Sequence, residues 1–243
     1  MLERQLLCTH EGLFFFIAAP TKTLYIMSEE KKKFINSLKF PILFVFFISA
    51  IEILSYVFDL NLVQLGILPR NFSGLIGIFT APLIHSNLEH LYSNVIPVFV
   101  LGVSIFYFYP ISSKKVSLII YFCTNILVWL FARENYHIGA SGFVYGLFSY
   151  LFFSGIFRKD KRAITLSLLT IFIYGGLVYG IFPIKQGVSW ESHLFGFLIG
   201  IFTAYFFRKT DVYKKYDWED EELDVDVRNL KITHKRNLED LEK

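Results

Sequence analysis

The sequence predicts an all-α membrane protein, a bundle of six transmembrane helices with a long interfacial loop between the first two. Three observations predict it. Of 243 residues, 54% are hydrophobic and 19% charged, with a mean hydropathy of +0.48, whereas a soluble domain carries about a quarter charged residues. Six apolar stretches reach or approach the roughly 17–20 helical residues that a bilayer core requires. The basic residues cluster beside those stretches on alternate sides, in the manner of topology signals.

The stretches are 40–58, 88–109, 116–132, 141–157, 163–182 and 192–207. Polar turns at 110–115, 133–137, 158–162 and 183–191 separate the last five. The interval 59–87 is longer and holds an apolar run, 75–84, too short to span; it reads as lying in the interface or dipping into it. With the N-terminus placed in the cytoplasm, Lys22, Lys31, Lys32, Lys33, Lys39, Lys114, Lys115, Arg158, Lys159, Lys161, Arg162, Arg208, Lys209, Lys214 and Lys215 are all inside. The outer loops then hold Arg70, Arg133 and Lys185, so both termini are expected in the cytoplasm.

Three regions follow: a cytoplasmic N-terminal segment 1–39, the membrane domain 40–208 and a charged cytoplasmic tail 209–243. The tail from Asp211 onward mixes charges with few large apolar residues and reads as solvated. The apolar run 13–19 follows Glu11 without a basic flank, which is not the form of a signal peptide. Met27, followed by Ser28, Glu29, Glu30 and three lysines, reads as a start of its own, so residues before it are expected to stem from an upstream start. Cys8 and Cys123 lie in different settings, which argues against a disulfide framework. The net charge of +3 is too small, and too tied to span ends, to mark a nucleic-acid surface.

Polar side chains inside spanning helices are costly and invite a functional hypothesis. The second stretch opens with His85, Ser86, Glu89, His90 and Asn94. Ser86 and Glu89 have the form of a capping box that starts a helix near Asn87, which puts His90 and Asn94 on one face. The fourth opens Gly139-Ala140-Ser141-Gly142; the sixth opens Ser192-His193, with Gly196 and Gly200 forming a small-xxx-small contact surface. Taken singly, each has a structural reading: an interhelical hydrogen bond for His90 or Asn94, a satisfied structural histidine for His193, tight packing for Ser141.

Topology joins them. The second, fourth and sixth helices all run from outside to inside, and His90, Asn94, Ser141 and His193 each lie near the start of one. At 1.5 Å per residue they share a depth on the order of 10 Å or less below the outer face. A hydroxyl, a base and hydrogen-bond donors at a helix N-terminus are what acyl transfer needs. No aspartate is placed to complete a triad, and Glu134 and Glu191 read as solvated loop residues, so a Ser–His dyad is expected. Tyr145, four residues after Ser141, shares its face and packs either on the imidazole or as an ordinary aromatic.

These residues together resemble the rhomboid family of intramembrane serine proteases. The Gly139-x-Ser141-Gly142 box, His193 followed by Gly196 and Gly200, and His90-x-x-x-Asn94 with His85 five residues before carry the likeness, across roughly 40–207. Ser192 stands where alanine is common, and Pro69-Arg70 where many members have a Trp-Arg pair. The resemblance implies a serine endopeptidase that cleaves transmembrane protein substrates near their outer ends. Ser141 would be the nucleophile and His193 its base. His90, Asn94 and the Ser141 N–H would stabilise the oxyanion, and Tyr145 would stack on the imidazole. No cofactor or metal is expected, and the setting would be a plasma membrane, bacterial by preference. Two rivals stand beside it: a non-cutting binder of membrane clients, and an ion-binding transporter that uses the histidines.

Overall fold

The computed structural model describes residues 21–184 and 187–214. Expectations that fall on Cys8, the 13–19 run, Lys185, Lys215 and most of the charged tail lie outside the described residues. The chain divides into units Met1–Asp211 and Val212–Lys243, and the described helices belong to the first.

Among the described residues the fold is all-helical. The elements are α1 (Thr21–Val57), α2 (Gly77–Thr80), α3 (Leu88–Phe108), α4 (Ser113–Phe131), α5 (Ser141–Arg158), α6 (Lys161–Tyr174) and α7 (Trp190–Phe206). The first apolar stretch is thus the later part of a longer helix than hydropathy predicts. Polar residues extend it toward the N-terminus, where Lys32 pairs with Glu29 at 2.9 Å and Lys33 with Glu30 at 3.8 Å, the i,i+3 spacing that supports an exposed helix. The helix at 88 starts as expected, but its cap is Asn87, whose side chain accepts from the His90 N–H at 2.8 Å, in place of the Ser86 box. The fifth stretch is α-helical to Tyr174, then tightens into a 3₁₀ segment, Gly175–Ile181. The change falls at Gly175-Gly176, where α-propensity is lowest.

Among the described residues, four segments are long and apolar enough to cross a membrane: Glu29–Val57, Leu88–Phe108, Ser113–Phe131 and Lys161–Ile181. Helix α5, 18 residues with three glycines, three serines and Arg158 at its end, and helix α7, 17 residues, fall outside that set. The reason is position. α5 packs against α3, α4, α6 and α7, and most of its side chains, from Gly142 to Gly155, are buried in protein. A helix enclosed by other helices does not need the lipid-facing residues that raise hydropathy.

The α5–α7 contact is backbone to backbone. A Cβ on Gly196 would fall on the Gly142 carbonyl, and one on Gly200 on Ser149 Oγ and the Gly146 carbonyl. Around this seam the core gathers Leu147, Phe148, Tyr150 and Leu151 of α5 with Val98, Leu101, Ile105, Val116 and Ile120.

The interval between α1 and α3 is folded onto α4. Ile67 and His137 form an isolated antiparallel bridge. The Arg70 guanidinium donates to the Ala132 carbonyl at 2.6 Å, Trp129 Nε1 to Asn71 O at 3.0 Å, and Asn125 Nδ2 to Ile78 O at 3.0 Å. Phe72, Ile76 and Phe79 of this interval point outward, exposed.

At the far end of α5, about 27 Å away at 1.5 Å per residue, a second polar cluster closes the bundle. The Asp211 carboxylate accepts from the N–H groups of Ile111 and Ser112 and from Ser112 Oγ at 2.6 Å. Arg158 donates to the carbonyls of Thr210 and Phe207. Both Arg158 and Arg162 lie over the Tyr109 ring.

Candidate active site

The first residue of α5 is Ser141, preceded by Gly139 with φ +105, in the left-handed region that a side chain disfavours. The corner is held from below by two bonds: the Gly139 N–H donates to Ala81 O at 2.8 Å and the Ala140 N–H to His85 Nε2 at 3.4 Å. A helix leaves its first N–H groups without intrahelical partners, and Val144, donating to Ala140 O at 3.0 Å, is the first to bond back.

His193 lies in the first turn of α7, 8% exposed. Its Nδ1 is 2.9 Å from Gly180 O and its Nε2 is 2.9 Å from Ser141 Oγ. A carbonyl can only accept, so Nδ1 carries the proton and Nε2 of the neutral ring has the lone pair. The Ser141 hydroxyl therefore donates to Nε2, the geometry in which a base can take the hydroxyl proton. The Tyr145 ring stacks on the imidazole, 4° from parallel with centroids 4.1 Å apart.

His90 accepts from the Ser86 N–H at Nδ1, at 3.5 Å, which puts its proton on Nε2. That edge of the ring lies against Gly139, where a Cβ would come within 2.7 Å of Nε2. Asn94 is buried and tied to its own helix, one amide N–H donating to His90 O at 2.7 Å. Its second N–H remains, but among the described residues its hydrogen bond is to that carbonyl and not to Ser141. His85 is buried edge-on to His90, ring centroids 5.0 Å apart. Burial, with His90 adding to it, holds the pKa of His85 down to about 3, so the ring is neutral and can accept the Ala140 N–H.

Sequence reasoning missed what holds the start of α7. Glu191, expected as a solvated loop residue, is buried at 4% exposure in the first helical turn and pairs with Arg133 Nε at 3.2 Å. The Arg133 guanidinium also donates to Val188 O at 2.6 Å. Buried His137 donates from Nε2 to Arg133 O at 3.0 Å and accepts at Nδ1 from Ser189 Oγ at 2.5 Å. Ser189 in turn accepts from Ser192 Oγ at 2.7 Å and caps α7 through the Ser192 N–H. The Ser189-x-x-Ser192 spacing, an N-cap signature, could have revealed part of this; the Gly180 carbonyl leaves no trace in a sequence. Among the described residues, no three His, Cys, Asp or Glu side chains are grouped as metal ligands.

A family model, the Rhomboid domain, matches residues 73–210, more than half of the chain. This chain belongs to the rhomboid family. The matched rhomboid region takes in the His85–Asn94 segment, Ser141 and His193, and leaves α1 outside. The uncharacterized proteins Rv1337 of Mycobacterium tuberculosis and Mb1372 of Mycobacterium bovis are each 32% identical over 171 residues, covering 67% of this chain and 71% of theirs. The uncharacterized protein ML1171 of Mycobacterium leprae is 32% identical over 146 residues, 53% of this chain and 55% of its own. Rhomboid proteins form an intramembrane protease family whose members are usually peptidases, some being inactive. With four segments apolar enough to cross a bilayer, this rhomboid chain is an integral membrane protein.

Proposed function

We propose that the protein is an intramembrane serine endopeptidase that cleaves transmembrane segments of membrane-protein substrates near their outer ends, through a dyad of Ser141 and His193. One observation carries it. Ser141 Oγ is 2.9 Å from an imidazole nitrogen whose lone pair is freed by the bond from Nδ1–H to Gly180 O.

Ser141 Oγ attacks the scissile carbonyl carbon as its proton passes to His193 Nε2. The carbonyl oxygen becomes the oxyanion, stabilised by the Ser141 N–H, by His90 Nε2–H and by the remaining Asn94 amide N–H. The C–N bond then breaks, His193 gives its proton to the leaving amine, and an acyl ester remains on Ser141. Water, deprotonated by His193, hydrolyses the ester and restores both groups. These steps use the chain's own residues and call on no cofactor.

The membrane domain 40–208 crosses the bilayer six times, α5 and α7 included, with both termini cytoplasmic. The enclosure of α5 and the basic residues around the Asp211 end support this orientation. The interval 59–87 lies at the outer interface with Phe72, Ile76 and Phe79 toward lipid, and the cell is bacterial, as are the relatives.

The test is reconstitution with a single-span reporter. Wild type should release a product cut near the reporter's outer boundary, insensitive to chelator and absent with Ser141→Ala and His193→Ala. Cleavage that persists in Ser141→Ala would overturn the nucleophile. Wild type that neither cleaves nor reacts with a fluorophosphonate at Ser141 would overturn the protease reading.

A further inference from the structure

Ser141 comes four residues after His137, and His193 four residues after Ser189. Those two forerunners are themselves bonded, Ser189 Oγ donating to His137 Nδ1 at 2.5 Å. A serine–histidine pair thus bridges the approaches to α5 and α7, as Ser141 and His193 bridge their first turns at 2.9 Å. The chain order is exchanged: the turn before α5 supplies the histidine of one pair and the serine of the other.

Both ends of the upstream bond are anchored. His137 is 3% exposed, its peptide exchanges two hydrogen bonds with Ile67 at 2.9 and 3.0 Å, and its Nε2–H donates to Arg133 O at 3.0 Å. Ring and backbone are therefore fixed together. Ser189 is the cap of α7: its hydroxyl accepts from Ser192 Oγ at 2.7 Å and from the Ser192 N–H at 3.4 Å, and its carbonyl accepts the His193 N–H at 3.4 Å. Those two backbone bonds are long and so weak, which leaves the first turn of α7 leaning on the Ser189 side chain and its partner. The two helix starts also touch, since a Cβ on Gly142 would come within 3.0 Å of the Ser192 carbonyl.

We infer that His137, through Ser189, is a positioning residue for the dyad: their bond ties the turn before α5 to the cap of α7 and sets the spacing of Ser141 and His193. The inference rests on the proposed protease activity for its kinetic consequence, and on geometry alone for its structural one. Misplacement of a reacting group by about 1 Å costs on the order of a hundredfold in rate. The loss falls on the chemical step, so kcat should drop with KM nearly unchanged.

The experiment compares full-length wild type, His137→Leu, His137→Asn, Ser189→Gly and the double variant His137→Leu/Ser189→Gly in one detergent. It reads reporter cleavage, fluorophosphonate labelling of Ser141, thermal unfolding and amide exchange. Ser189→Gly separates cap from cross-link, because glycine caps a helix nearly as well as serine but carries no hydroxyl. It should lower kcat and labelling about fivefold or more at unchanged KM, with an unfolding temperature close to wild type. His137→Leu should lose as much, and the double variant no more than either single, since one bond is lost once. His137→Asn, whose side-chain oxygen can accept from Ser189, should be the faster of the two His137 variants. Wild-type kcat in Ser189→Gly, losses that multiply in the double variant, or a loss carried by KM would overturn the assignment. If His137→Leu unfolds, Ser189→Gly against wild type decides alone. If wild type itself neither cleaves nor labels, the protease reading falls and exchange decides the cross-link. Each variant should then quicken exchange in the opposite segment, Ser189→Gly at 137–141 and His137→Leu at 190–193; no change there overturns it.

Discussion

The Tyr145 ring lies stacked on the His193 imidazole, 4° from parallel with 4.1 Å between centroids. The contact crosses the α5–α7 seam and leaves the imidazole edge free to meet Ser141 on one side and Gly180 O on the other. The face of the ring is held by Tyr145 and its two nitrogens by hydrogen bonds, so tilt and rotation are fixed separately.

On the proposed mechanism, removing the stacked face should therefore cost rate while leaving Ser141 in place. An aromatic pair contributes about 0.5–1.5 kcal/mol beyond its area, which converts to roughly a two- to tenfold loss of kcat in Tyr145→Ala. Tyr145→Phe keeps the ring and should stay close to wild type. Reporter kinetics on both variants check this; equal rates for Tyr145→Ala and wild type would sink it.

The glycine seam should tolerate no added methyl. A Cβ at Gly196 meets the Gly142 carbonyl and one at Gly200 meets Ser149 Oγ and the Gly146 carbonyl, so α7 must shift away from α5. Overpacking of this kind costs about 1–3 kcal/mol. Gly196→Ala and Gly200→Ala should both lower the unfolding temperature in detergent, and Gly196→Ala, one turn below His193, should lose the larger share of activity.

Arg133 and Glu191 form a one-sided pair, with Glu191 at 5% side-chain exposure and Arg133 at 43%. The exposed member contributes little by charge alone; its removal matters because a buried carboxylate loses its charge partner and keeps only the backbone N–H of residue 133, 3.4 Å from Oε1. Arg133→Leu should destabilise by roughly 1–3 kcal/mol, and Glu191→Gln by less, because the amide still accepts from the Arg133 N–H. A double-mutant cycle followed by thermal unfolding measures the coupling.

Stability should also fall as the pH drops below the ordinary histidine range. Burial lowers the pKa of His85 from 6.5 to about 3 and that of His137 in the same direction. A histidine whose folded pKa is depressed binds its proton more readily when unfolded, so stability is full above about pH 6.5 and drains away as pH drops. For His85 the loss continues down to about pH 3. Unfolding temperatures taken at steps from pH 7 to pH 4 should decline for wild type and decline less steeply in His85→Gln, which keeps the His137 contribution.

Most of the helices were legible in hydropathy, because a lipid-facing surface must be apolar whatever the fold. The start of α1 was not, since charge pairs such as Lys32–Glu29 extend a helix without raising hydropathy. Nor was the burial of Glu191, whose setting depends on Arg133 from a loop 58 residues away. Ser141, His193 and Tyr145 were readable because each sits near a helix start, where spacing fixes depth. The capping role of Asn87 was misread as Ser86, both being good caps one residue apart.

The partner that orients His193 is a peptide carbonyl, and that has a genetic consequence. A catalytic carboxylate can be deleted by one codon change; the Gly180 oxygen survives every substitution at its own position. Mutational scanning would find Gly180 intolerant, since a Cβ there meets the Tyr145 hydroxyl, and a reader of that scan would record a steric constraint and overlook an electrostatic one. Only a change in backbone path along Gly175–Ile181 can take that acceptor away.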